Sequence, residues 1–182
     1  MNEVSDLVIQ DKIDKRKRIM ATGETIIIAP HPDDECIGCY EVLNSGVKCI
    51  IIYTSDVDNN RKEEALRLKN HTNIKGQMFI KSIPSNLLHP SNIYYFPHPI
   101  YETHPDHRIQ GIAGEQLARS GFNVIFYITE MNAPFKFECK TSEKKEGLLN
   151  EIYKSQRSMW EYEKKYILFS GYDKWVFNTG TI

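Results

Sequence analysis

Apolar residues in this chain fall into two kinds of run, and the difference between them predicts the fold. Ile26–Ala29 and Val47–Tyr53 are continuous and rich in β-branched side chains, as suits strands covered on both faces. Gln77–Ile80, Ile93–Phe96 and Val124–Thr129 are further strand candidates. Between them the apolar positions recur at helical spacing. Ile37, Tyr40 and Leu43 mark a helix over 35–44 that ends near Gly46, and Ala65, Leu66 and Leu68 mark one over 60–70 that Asp58 or Asn59 can cap. A third helix is predicted over 109–120, closed by Gly121. Leu148, Leu149, Ile152, Tyr153, Met159 and Trp160 continue the helical period ahead of an aromatic tail at 166–177, and residues 1–20 predict a short amphipathic helical extension. Alternation of strand and helix predicts a three-layer α/β fold with a mostly parallel, Rossmann-like sheet flanked by helices. Ligands of such sheets bind beyond the carboxyl ends of the strands.

Size and charge narrow the picture. With 182 residues the chain is expected to form one domain, 1–182, large enough to fold without a metal staple, so a bound metal would serve function rather than structure. A net charge of −1 suggests no polyanionic partner. The basic cluster Lys15–Arg18 follows Asp11 and Asp14 and reads as a solvated helix end rather than a nucleic-acid contact. No apolar run approaches the roughly 20 residues that cross a bilayer, so no membrane partner is expected. The N-terminus lacks the apolar core of a signal peptide, which makes a cytoplasmic location the expectation, with homo-oligomerisation left open. Four cysteines then read as thiols, and Cys36-x-x-Cys39 has no second pair with which to complete a four-thiolate site.

Chemistry concentrates in a tripeptide that occurs twice, in Ala29-Pro30-His31-Pro32-Asp33-Asp34-Glu35 and in His104-Pro105-Asp106-His107. Each proline pushes the residue before it toward extended geometry, which places these side chains at a loop mouth. His31 and Asp34 can converge on one ion across the first turn, and His107, at the start of the next helix, supplies a third ligand. Two imidazoles and a carboxylate with an open position make up a catalytic zinc site, although Fe2+, Co2+ or Ni2+ accept the same ligands. Asp33, adjacent to Asp34 but not bound to the metal, is the expected general base. His104, held near its imidazolium form by Asp106, is the expected partner of a developing oxyanion. The plainer alternative makes Asp33 and Asp34 caps on a helix N-terminus and the histidines ordinary surface groups. Of the other histidines, His98, between Pro97 and Pro99, is the expected substrate contact.

These residues resemble the hallmarks of the PIG-L/LmbE family of zinc-dependent deacetylases, an Ala/Ser-x-His-Pro-Asp-Asp-Glu turn after the first strand and a later His-Pro-Asp-His. Gly38-Cys39, Arg61-Lys62-Glu63-Glu64 and Tyr153-Lys154-Ser155-Gln156 are similar to further family segments in the same order. The resemblance implies zinc on His31, Asp34 and His107, Asp33 as base and then proton donor to the leaving amine, and His104 backed by Asp106. It implies removal of an N-acetyl group from an N-acetylglucosamine-type amino-sugar conjugate, with Arg61 either reaching substrate or making a structural ion pair. The chain departs from the family between Ile80 and His104, where it lacks the family's helix and strand. Where some members carry an assisting tyrosine two residues before the second motif, this chain has Glu102, with Tyr101 next to it as a substrate contact. The rival expectation is a non-catalytic sugar- or nucleic-acid-binding module that keeps the metal residues for structure.

Overall fold

A computed structural model describes residues 23–129, 137–138, 142–158, 172–173 and 175–177. The expected extension at 1–20, Cys139, Met159, Trp160 and most of the aromatic tail lie outside the described residues. In chain order the elements are β1 (Thr25–Ala29), α1 (Asp34–Asn44), β2 (Cys49–Tyr53), α2 (Asn59–Arg67), β3 (Ile74–Phe79), β4 (Ile93–Pro97), α3 (Pro105–Arg119), β5 (Asn123–Tyr127), β6 (Phe137–Glu138), α4 (Ser142–Ile152), β7 (Tyr172–Asp173) and β8 (Trp175–Phe177). Single 3-10 turns occupy Leu68–Asn70, Ser85–Leu87 and Lys154–Gln156.

The main sheet has the order β3-β2-β1-β4-β5-β8. β1 to β5 run parallel, and β8 closes the edge antiparallel to β5. Helices flank this five-stranded parallel array, which gives the three-layer, Rossmann-like α/β architecture. Because successive strand side chains point to opposite faces, β1 divides between two cores. Ile27 and Ala29 join the apolar side chains of α1 and α4, whereas Ile26 and Ile28 join Tyr94, Phe96 and Phe126 on the face that α3 covers. All five residues of β1 are buried, as the continuous apolar run requires.

The chain leaves β1 for β2 and β3 on one side, then returns to add β4 on the other. Strand order therefore reverses between β1 and β4, and a crevice opens at their carboxyl ends. The first His-Pro-Asp motif leaves β1 and the second follows β4, so the topology itself brings the two copies together.

Several boundaries differ from expectation. α3 begins at Pro105 rather than 109, because Pro105 takes the first helical position and the His104 side chain caps the end by accepting the Asp106 N–H at 3.2 Å. Three of the four residues of the second motif are thus helical, with only His104 extended. The last described helix starts at Ser142 rather than near 148 and ends at Ile152, where it passes into the 3-10 turn that carries Ser155; residues 157–158 are again helical, and 159–160 lie outside the described residues. Asp58 caps α2 through the Arg61 N–H, and Gly121, at φ 87°, closes α3 as anticipated.

α3 approaches β4 very closely at Gly111. A Cβ there would stand 2.6 Å from the Pro99 Cα and 2.8 Å from the Pro97 carbonyl oxygen. Alanine normally stabilises a helix interior by about 1 kcal/mol over glycine. Here the new methyl meets backbone, and Gly111→Ala is expected to destabilise by about 1–3 kcal/mol. Urea denaturation checks the sign, and a stabilised variant would refute this packing.

Candidate metal centre

The turn after β1 is held in an unusual shape. Asp33, the N-cap of α1, has φ 116° and ψ −30°, the one non-glycine positive φ among the described residues. Its side chain makes no capping hydrogen bond, so the plain capping role does not account for it. Instead the buried Glu35 carboxylate accepts the Asp33 N–H at 3.2 Å, and the Tyr153 hydroxyl donates to the other Glu35 oxygen. Arg61 donates to the Pro32 carbonyl at 3.0 Å and lies 3.6 Å from the Asp33 carboxylate. Such a backbone conformation costs about 1–3 kcal/mol and persists only where its surroundings over-determine it.

Across the crevice, three side-chain atoms converge. His31 Nδ1 lies 3.2 Å from His107 Nε2. Asp34 Oδ2 lies 3.1 Å from the same His107 atom and 3.5 Å from His31 Nδ1. Four-coordinate zinc with bonds of about 2.0–2.1 Å places neighbouring ligand atoms about 3.3 Å apart, so the triangle matches a tetrahedral face. A wider group of three imidazoles, His31, His104 and His107, has nitrogens within 4.8 Å of one another. Either way the cluster is able to hold a metal ion. The triangle through Asp34 is the smaller of the two, with the same Asp34 oxygen also accepting the His31 N–H at 2.8 Å.

Each converging imidazole is oriented by a carboxylate on its far nitrogen. His31 Nε2 donates to Asp106 Oδ2 at 3.1 Å, and the same oxygen accepts the Ser55 hydroxyl at 2.6 Å. His107 Nδ1 donates to Glu102 Oε2 at 2.9 Å. These partners fix the tautomers that leave His31 Nδ1 and His107 Nε2 with lone pairs toward the centre. Glu102 is itself buried and accepts both the Thr129 N–H and, at 2.9 Å, the Thr129 hydroxyl. The carboxyl ends of β1, β2, β4 and β5 thus all contribute.

Electrostatics follow from this crowding. Burial alone would lower the proton affinity of His107, but Asp34 and Glu102 outweigh it and push its pKa up to about 11. Burial would raise that of Asp34, yet His107 and His31 hold it well below the ordinary carboxylate range. The pair therefore favours a proton on its shared 3.1 Å contact, which a cation bound by these atoms would displace. Burial and then the neighbouring Asp34 charge raise the Asp33 pKa against the pull of Arg61. Glu35 is raised to about 7 by burial.

Three expected roles change, and Arg61 takes one of its two. Asp106 does not support His104 through its carboxylate, which is occupied by Ser55 and His31 and touches His104 only through the backbone N–H. His104 is consequently not held as imidazolium: burial, then His31 and His107, lower its pKa. With Nδ1 accepting, its neutral ring carries hydrogen on Nε2. Arg61 makes the structural ion pair of its two expected roles, facing the Asp33 carboxylate and holding the turn through the Pro32 carbonyl. His98 is buried, its Nδ1 accepts the N–H groups of Ile100 and Tyr101, and burial lowers its pKa to about 4, which makes it an internal tie of the β4–α3 loop. The Tyr101 ring lies tilted at 39° against His98, 4.5 Å between centroids, and remains 40% exposed.

Glu102, Ser55, Thr129 and Glu35 escaped the sequence reading. Ser55 lies just beyond the carboxyl end of β2, a position that could have signalled it. Glu102 has no spacing rule to announce it, since its partner His107 lies five residues on across a loop and a helix start.

Comparison with family models, with curated proteins and with solved structures finds no match to the chain. No helix among the described residues is long and apolar enough to cross a membrane. Cys36, Cys39 and Cys49 are buried thiols.

Two outcomes test this geometry. Glu102→Gln replaces a charged acceptor of the His107 N–H and is expected to weaken zinc binding about 10–100-fold in a chelator competition; unchanged affinity would remove Glu102 from the centre. Asp33→Gly is expected to be about 1–2 kcal/mol more stable than Asp33→Ala, since only glycine adopts φ 116° without strain. Equal urea midpoints would show that the turn stores no strain.

Proposed function

We propose that this chain is a zinc-dependent N-deacetylase of the PIG-L/LmbE kind, which hydrolyses the acetamide of an N-acetylglucosamine-type conjugate. The observation that carries the reading is the triangle of His31 Nδ1, Asp34 Oδ2 and His107 Nε2, with edges of 3.1–3.5 Å, beside a carboxylate that takes no part in it. His31, Asp34 and His107 would hold the ion, leaving a position open toward the loop mouth. A zinc ion bound there lowers the pKa of water to about 7 and polarises a carbonyl oxygen.

The remaining work falls to the chain. Asp33, 3% exposed and beside Asp34, takes the proton of the attacking water and returns it to the departing nitrogen, so that the amide becomes a free amine and acetate. Its backbone strain and the Arg61 contact aim the carboxylate without committing it to a ligand role. His104 is the exposed member of the histidine group and presents Nε2–H, a neutral donor for the oxyanion that forms as the carbonyl is attacked. Asp106 and Glu102 act through His31 and His107 by holding their rings and tautomers. Support for hydrolysis over a purely structural metal comes from Asp33, whose strained placement adds nothing to stability on its own.

Acetate release from neutral and charged N-acetylglucosamine glycosides should be measured on zinc-loaded wild type, chelated protein and Asp33→Ala. Release is expected only from the first, with Asp33→Ala at least about 10²-fold slower at unchanged zinc content. Loss of zinc together with activity in Asp33→Ala would assign Asp33 to the ligand set, and no release from any glycoside would overturn the deacetylase reading.

A further inference from the structure

Large apolar side chains that reach solvent gather on one element of this molecule. Among the described residues, Ile109 is 61% exposed, Ile112 48% and Ile100 73%, with Tyr101 beside them, and all four belong to α3 or to the loop that leads into it. Single exposed apolar residues are ordinary, but a cluster marks a surface that something covers. α3 shows how the cluster arises. Its inner face is made by His107, Gly111 and Gly114, buried against β4 and β5. With about 100° between successive residues, the opposite face carries Ile109, Ile112 and Gln116, with the small Ala113 alongside, and all four are exposed. A helix face that meets only water is normally polar. Close packing of Gly111 on Pro99 also brings the next two residues, Ile100 and Tyr101, up beside the same helix.

The charges beside this stripe say what covers it. Arg108 and Glu115 lie on the same flank of the helix, about two turns apart. Arg108 is exposed and makes no ion pair among the described residues. Glu115 pairs with Arg119 at 3.7 Å, but the Arg119 side chain is 77% exposed, so the contact is weak and leaves the carboxylate open to a second cation. When two copies of a helix pack antiparallel about a two-fold axis, the same flank of each faces the other and residues equidistant from the axis meet. An axis near Gly111 and Ile112 sets Arg108 of each copy opposite Glu115 of the other and brings Ile109 and Ile112 of both copies together. A uniformly acidic or basic partner would match only one of the two signs; a second copy of this chain matches both.

We propose that α3 and the β4–α3 loop form a two-fold, antiparallel interface between two copies of this chain. Specific interfaces bury about 1,200 Å² or more in total, so Ile100 and Tyr101 join the helix pair in the contact. Because His107 lies in the first turn of α3, the two candidate metal centres fall at opposite ends of the paired helices. The pairing holds whatever reaction those centres carry out.

Analytical ultracentrifugation of the full chain over a range of concentrations reads the assembly directly, with thermal melts confirming that each variant folds. Wild type is expected to form a dimer. Ile112→Glu, which would bury a charge near the axis, is expected to sediment as a monomer at the same concentrations. Arg108→Glu and Glu115→Arg each set like charges face to face and are expected to weaken the dimer about tenfold. Combining the two restores opposite charges across the axis and is expected to recover most of the wild-type affinity. A wild type that stays monomeric throughout would leave the face to a different partner and overturn the interface. So would a dimer that survives Ile112→Glu, or a double variant that associates no better than the single ones.

Discussion

The buried carboxylate of Glu35 organises the site end of this molecule. One of its oxygens accepts the Asp33 N–H and the other the Tyr153 hydroxyl, across 118 positions of sequence. That single group holds the strained turn after β1 in place and anchors the end of α4 beneath it. A second buried acid repeats the device: Glu64 of α2 accepts the Ser155 N–H at 2.8 Å and its hydroxyl at 2.6 Å. With Arg61 gripping Pro32 from the same helix, the motif turn is clamped from α2 and from the segment that follows α4. Unmatched, these carboxylates would be severely penalised by burial; matched, they specify one arrangement.

Charge balance explains the rest of the site. Three carboxylates, Asp34, Glu102 and Asp106, surround His31 and His107, an excess of negative charge that a proton or a cation must neutralise. Asp33 stays apart from that exchange, close enough to feel it and turned away by its own backbone. On the proposed reading, proton acceptance and cation holding would be divided between these adjacent residues, which is the division that a hydrolytic centre needs.

Much of this was legible in the chain. Continuous β-branched runs marked β1 and β2, and the repeated His-Pro-Asp marked the residues that meet, because proline and strand ends act locally. The family-like segments around Arg61, Gly38 and Ser155 acquire physical reasons in the fold: Gly38, for instance, leaves room for Tyr127, whose ring carbon Cδ2 would stand 2.3 Å from a Cβ. Long-range partnership was not legible. Glu102 and Ser55 gain their roles only from which strand lies beside which, and the partner of the Asp106 carboxylate could not be inferred from its nearness to His104 in sequence. The start of α3 was misjudged because apolar periodicity begins later than the helix does, its first turn being built of cap and ligand residues.

The insertion of β4 beside β1 has a consequence for how the molecule acquires its site. His31 and His107 are 76 residues apart in sequence, and they meet only once β4 has docked beside β1. Closing so long a loop is slow relative to forming local helices. An ion that needs both halves therefore has nothing to bind in the early, partly folded chain, and its capture records that the central strand pair has closed. A metal ion bound by this cluster would therefore be taken up late in assembly, and would then hold the two halves of the sheet together by mass action.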